Sequence, residues 1–242
     1  MNINFYSRKK LDKIINRKIK KTNVILDIGC GIRPQNFITP IVHICAEPFE
    51  QYVKTLQKIA SETTNRNYVI MQSGWQDVIK ILPEESVDTI FILDVIEHLD
   101  KNEGERLLKE TEKIAKKQII IFTPLGFLPQ KSENKKDAWG MDGGDWQEHK
   151  SGWLPEDFDD SWDIHALKEY HFFDSAGIKY EKPYGAFYAI KTKKEKQTLK
   201  NKIIKKYFLL HNIVISRPIT AYDKYKSWPM KLYKKVYGRK KI

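Results

Sequence analysis

Short apolar runs alternate with stretches whose apolar residues recur every three or four positions, and this alternation sets the expected architecture. Leu11, Ile14, Ile15 and Ile19 recur at helical spacing among lysines and predict an amphipathic helix over 5–20. Strands are expected at 23–28, 41–46 and 67–72, with Val53, Leu56 and Ala60 marking a helix between the second and third. Val87–Leu93 reads as a fourth strand. Leu107, Leu108, Thr111, Ile114 and Ala115 then share one face of a helix over 101–116, with charges on the other. Gln118–Thr123 is a fifth strand, and a Gly- and Asp-rich loop spans 124–154. Trp162–Phe173 and Tyr184–Lys191 complete the set, with Gly177 and Pro183 bracketing the turn between them. Strands alternating with helices predict crossover units, hence a mostly parallel sheet covered on both faces.

Beyond Lys191 the alternation gives way to Lys and Tyr. Ile203, Ile204, Tyr207, Phe208, Leu210 and Val214 fit the apolar face of a further amphipathic helix. The chain has no internal repeat.

At 242 residues the chain is one domain, or one domain with an extension. No apolar run reaches the ~20 residues of a membrane span, and the N-terminus lacks the apolar stretch of a signal peptide. Cys30 and Cys45 read as buried thiols in a reducing compartment. A cytoplasmic location is therefore expected. The net charge of +12 is unevenly spread: residues 191–242 carry 17 Lys or Arg against two acids, and residues 1–21 carry eight against one. Residues 22–190 are left with a balance of −10. Segregation of this kind points to an interaction surface at the ends.

The candidate chemistry begins at Val24-Ile-Leu-Asp-Ile-Gly-Cys-Gly31. Gly29 and Gly31 permit a sharp turn and close approach of a ligand to the main chain. Asp27 stands at the strand's C-terminal end, where open parallel sheets bind ligands. Glu47 follows the second strand at the spacing of a ribose-binding carboxylate. Pro34 stands where a dinucleotide fingerprint has its third glycine, which argues against NAD and for a ligand without a pyrophosphate.

On Asp27-x-Gly29-x-Gly31 and Glu47, the chain resembles class I S-adenosylmethionine-dependent methyltransferases. The resemblance covers about 23–191. It implies a Rossmann-like seven-stranded α/β fold, and the sequence pattern adds a basic helix at 1–22 and a basic, aromatic-rich extension at 192–242. It implies S-adenosyl-L-methionine as cofactor, with Asp27, Gly29 and Gly31 against its methionine part and Glu47 on its ribose hydroxyls. Gly74, Trp75 and Gln76, with Asp77, then follow the third strand where the family contacts adenine. The family's usual acid there is replaced by Trp75 and Gln76. Asp94-Val-Ile-Glu97-His98 places Asp94 at the transferred methyl. His98 reads equally as catalytic or as a histidine bonded within its turn.

A structureless stretch as long as 124–154 is usually functional. Thr123-Pro-Leu-Gly-Phe127 and Gln147-x-His149-x-Ser-Gly-Trp153 resemble bacterial methyltransferases associated with cell-surface glycans. The implied acceptor is a sugar or glycan hydroxyl, lipid-linked if the enzyme works at a membrane. A neutral imidazole suits proton removal near pH 7. His149 is accordingly the first candidate base, with Glu148 and Asp145 in reserve. The competing reading is a lid pinned by Trp146 and Trp153. Asp142, Asp145 and His149 match no known metal-loop spacing, so no metal is expected.

The basic ends suit an anionic membrane surface or RNA. The acidic centre favours the membrane. Two alternatives remain: an RNA methyltransferase docking through its termini, and a nonenzymatic membrane- or RNA-binding protein on the same fold.

Overall fold

The structure is a computed structural model and describes residues 3–131 and 135–193. The chain divides into two units, 1–194 and 195–242. The expected helix around Ile203–Val214 and most of the basic extension lie outside the described residues.

The elements run β1 (Asn4–Phe5), α1 (Arg8–Lys18), β2 (Val24–Ile28), β3 (Val42–Glu47), α2 (Glu50–Glu62), β4 (Asn67–Gln72) and α3 (Trp75–Ile81). They continue with β5 (Val87–Leu93), α4 (Lys101–Ile114), β6 (Ala115–Pro124), β7 (Trp162–Phe173) and β8 (Lys179–Thr192). One sheet holds all the strands among the described residues in the order β1-β7-β8-β6-β5-β2-β3-β4. Only the pairings of β8 with β6 and β7 are antiparallel. The Rossmann-like fold expected from the sequence is present, with a late antiparallel pair at one end.

The sheet has eight strands rather than seven, because Asn4 and Phe5 pair in parallel with His165 and Ala166. α1 therefore begins at Arg8, later than the apolar period suggested. Pro183 lies inside β8, not beside its turn. The β7–β8 register shifts between Leu167 and His171 and again before Phe173, and such irregular stretches are where a sheet tolerates a missing N–H. The turn is instead built on Asp174, whose carboxylate accepts from the N–H of Ala176 and Ile178 at 2.9 and 2.7 Å.

Strand alternation divides the core in two. Leu26, Ile28, Ile90, Ile92, Ile119 and Ile121 face α3 and α4, joining Val78, Leu107, Leu108 and Ile114. Ile25, Phe91 and Ile120 face the other way and receive Leu11, Ile15 and Ile19 from α1 and its end. Thus α1 packs as part of the sandwich. The strand order reverses between β5 and β2, and all their C-terminal ends point to one side. A crevice at such a reversal is where open α/β sheets hold ligands. No helix among the described residues is long and apolar enough to cross a membrane.

Candidate active site

A cavity of about 300 Å³ opens at the C-terminal ends of β2, β3, β4 and β5. Its walls include Gly29, Gly31, Glu47, Tyr52, Gly74, Trp75, Gln76, Asp94, His98, Glu103, Asp145, Trp146, Gln147 and Lys150. Gly29 and Gly31 both take positive φ, +61° and +54°. A Cβ on Gly29 would meet Val95 Cγ2 at 2.9 Å, so the turn permits only glycine at that approach.

Glu47 closes the turn. Its Oε2 accepts from the Gly31 N–H and its Oε1 from the Phe49 N–H, both at 2.9 Å. Burial raises its pKa, opposed by those two N–H groups. The carboxylate keeps lone pairs at the cavity wall, where a carboxylate can accept from two neighbouring hydroxyls at once.

Asp27 lies beneath the turn and does not line the cavity. It is 1% exposed, and its Oδ2 accepts from the Gln35 N–H at 2.7 Å and from His43 Nε2 at 3.2 Å. Burial alone would lower the His43 pKa, but Asp27 and then Cys45 raise it to about 9. The pair is therefore an internal ion pair that fixes the loop after β2. The sequence reads Asp27 as facing ligand; its depth follows from its pairing in register with Cys45, beneath α2.

On the next wall Trp75 is buried at the start of α3, with Arg106 over its ring at 5.0 Å. Gln76 Nε2 donates to Glu103 Oε1 at 3.4 Å. Asp77 is exposed and pairs with Lys80. Glu103, Tyr52 and Lys150 were not read from the sequence as lining residues. Tyr52 has the spacing of a core residue and gives no other signal.

Asp94 takes φ +52° at the end of β5, a conformation uncommon outside glycine and found at active sites. Its side chain reaches solvent through the cavity, yet the surrounding protein raises its pKa to about 7. Glu97, three residues on, is 2% exposed. Burial and then the Asp94 charge hold its pKa well above the ordinary range.

His98 is on the cavity wall and His149 is behind it. Their ring centroids are 4.8 Å apart. His98 Nδ1 donates to the Glu148 carbonyl at 3.1 Å, and His149 Nδ1 to the Leu128 carbonyl at 2.7 Å. Burial, then the neighbouring His149, lowers the His98 pKa to about 4, against the pull of the Glu148 and Asp94 carbonyls. Burial lowers that of His149 as well. Neither His149 nor the Glu148 side chain lines the cavity, which corrects the expected order of candidate bases. Asp145 does line it. Asp142 stands apart, bonded to Lys136 and Gln51, so Asp142, Asp145 and His149 do not form one cluster.

The described parts of the 124–154 loop are tied down in the middle and at the base. Asp137 Oδ1 accepts from the N–H of Trp139 and Met141 at 2.8 and 2.9 Å, and its Oδ2 from the Tyr52 hydroxyl at 2.5 Å. At the base, the N–H groups of Lys150 and Ser151 donate to the Glu97 carbonyl at 2.7 and 3.1 Å. Trp153 is fully buried, and its Nε1 donates to the Ile96 carbonyl at 3.1 Å. Trp146 pins nothing in the core; it is 50% exposed at the cavity.

No family model and no curated protein matches the chain. Solved structures do. The YcgJ protein from Bacillus subtilis aligns with TM-score 0.51 and 11% identity, covering 78% of this chain and 100% of that one. The chain has a Rossmann-like fold. A SAM dependent methyltransferase from Archaeoglobus fulgidus aligns at TM-score 0.44 and 18% identity, covering 77% of this chain and 95% of that one. The cyclopropane synthase MmaA2 from Mycobacterium tuberculosis aligns at TM-score 0.39 and 20% identity over 50% of this chain. The chain spans about two fifths of the length of that synthase, 43%.

Proposed function

We propose that the chain is an S-adenosyl-L-methionine-dependent methyltransferase whose acceptor is a hydroxyl of a sugar or cell-surface glycan precursor. The observation that carries the reading is the Glu47 carboxylate locked to the Gly31 turn at the wall of the crevice. The cavity fits the cofactor: the Gly29–Gly31 main chain leaves room a side chain would fill, and Glu47 stands ready for a pair of ribose hydroxyls. Trp75 and Gln76 line the wall where adenine would lie. When bound, the cofactor supplies an electrophilic methyl group on a sulfonium.

The chain's own residues do the rest. Asp94 and His98 line the end of the crevice nearest β5, and Asp94, its pKa raised to about 7, is matched to take a proton from an acceptor hydroxyl. A positioned base is worth about 100- to 10,000-fold in such a step. Trp146 and Asp145 stand at the cavity from the lid side. An exposed indole beside a carboxylate suits a sugar, which offers an apolar face for the ring and hydroxyls for the acid.

The balance of −10 over residues 22–190 argues against RNA as acceptor. The basic extension at 192–242 is proposed to hold the enzyme on an anionic membrane surface in the cytoplasm, near lipid-linked acceptors. Flotation with anionic liposomes, full chain against a chain ending at Lys191, checks this; equal binding would remove the extension from the account.

The deciding experiment for the activity is turnover. Full-length protein with S-adenosylmethionine and a panel of sugar acceptors should release S-adenosylhomocysteine only when an acceptor is present. Cofactor binding without acceptor-dependent release from any class of acceptor would favour a nonenzymatic binding protein.

A further inference from the structure

Behind the cavity wall, Glu97, His98 and His149 each bring one ligand atom to within 4.8 Å of the others. Two separate segments meet here: the turn after β5 and the base of the lid, joined through the Glu97 carbonyl. Both rings send Nδ1 to a main-chain carbonyl. A neutral imidazole that donates through Nδ1 carries its lone pair on Nε2, and this is how metal-ligating histidines are oriented.

Glu97 supplies the second observation. Its Oε2 accepts from Thr123 Oγ1 at 2.9 Å, whereas Oε1 is buried with no hydrogen-bond partner among the described residues. A buried acceptor left unpaired is costly, more so when charged. No Lys or Arg faces Glu97 among the described residues, whereas the Asp94 carboxyl does.

We propose that Glu97, His98 and His149 bind one divalent transition-metal ion at the back of the cavity. Two imidazoles and a carboxylate without sulfur suit zinc, manganese, iron or cobalt, whereas calcium and magnesium favour all-oxygen sets. Metal–ligand bonds of about 2.0–2.2 Å bring ligand atoms to roughly 3–4 Å of one another. Closing from 4.8 Å takes shifts of about an ångström at the side-chain ends.

The other cluster of donors, Asp27, His43 and Cys45, is unlike this one. Its carboxylate and imidazole are already spent on each other and on Gln35, and Arg66 Nη1 faces the other His43 ring nitrogen at 3.4 Å. Because His98 also lines the cavity, the ion would present an open coordination position to an acceptor hydroxyl and orient it. That use rests on the methyltransferase reading; the site itself does not.

The test is metal binding, read without turnover. Chelator-stripped full-length protein is titrated with Co²⁺ and followed by its visible absorption and by calorimetry. One equivalent should bind, with no thiolate charge-transfer band. His98→Ala and Glu97→Gln should each weaken it at least about 10-fold, the loss that removal of a supporting partner already produces. Cys45→Ser should leave binding unchanged. S-adenosylhomocysteine affinity, measured on the same preparations, reports folding and the cofactor reading separately. No stoichiometric binding, binding unaffected by both His98→Ala and Glu97→Gln, or a thiolate band lost in Cys45→Ser would overturn the proposal.

Discussion

Gly104 of α4 lies directly beneath the indole of Trp153, with Cη2 3.1 Å from where a Cβ would stand and Cζ2 nearer still. The helix that backs the sheet thus seats the anchor of the lid, and a glycine in the helix's first turn is what makes the seat.

Gly104→Ala tests that contact. Alanine gains about 1 kcal/mol in helix preference, but overpacking a filled site costs about 1–3 kcal/mol. A net loss of stability is expected, read as a lower urea midpoint by tryptophan fluorescence. A gain would mean that Trp153 moves aside freely.

Glu47→Gln keeps the shape of the side chain and removes its charge. Hydrogen bonds to a charged group are worth about 1.5–3 kcal/mol. Affinity for S-adenosylhomocysteine should therefore drop by about 10- to 100-fold. Calorimetry measures this directly, and an unchanged affinity would remove Glu47 from the cofactor site.

Asp27→Asn acts one layer deeper. With the carboxylate gone, only Cys45 still opposes burial at His43, and its pKa should fall from about 9 toward its ordinary 6.5. An NMR titration of the ring protons follows the shift. The turn carrying Gly29 and Gly31 should loosen, with weaker cofactor binding as a second readout.

Asp94→Asn predicts a pH effect of defined sign. The folded-state pKa of Asp94 is raised from 3.8 to about 7. The folded protein therefore binds this proton more tightly than the unfolded chain, and stability is lost as pH rises from about 4 through 7. Asparagine tolerates the +52° backbone and carries no charge. In chelator, the variant should melt a few degrees higher than the parent at pH 8 and show a smaller difference at pH 5. Water in the cavity screens the charge, which keeps the effect modest.

Much of the fold was legible because fully covered parallel strands read as continuous apolar runs. Val87–Leu93 is buried at six of its seven positions. What escaped was short or non-local. Asn4–Phe5 is a strand only because β7 lies beside it. Trp75–Ile81 is seven residues, too few to show a helical period. The site divides in the same way. Gly29, Gly31 and Glu47 declare themselves by spacing, since main-chain geometry leaves a local mark. Depth leaves none: nothing near His149 in the chain tells that His98 stands in front of it. Glu97 was in plain view within Asp94-Val-Ile-Glu97-His98, and only its burial shows that its second oxygen lacks a partner.

The two-residue pairing at Asn4–Phe5 also bears on solubility. Without it, β7 would be the terminal strand of the sheet on that flank, offering a row of open amides and carbonyls to any other extended chain. So brief a cover blunts the flank while being too short to recruit a further strand itself. Trimming the first seven residues should therefore promote self-association at high concentration before it disturbs the distant crevice.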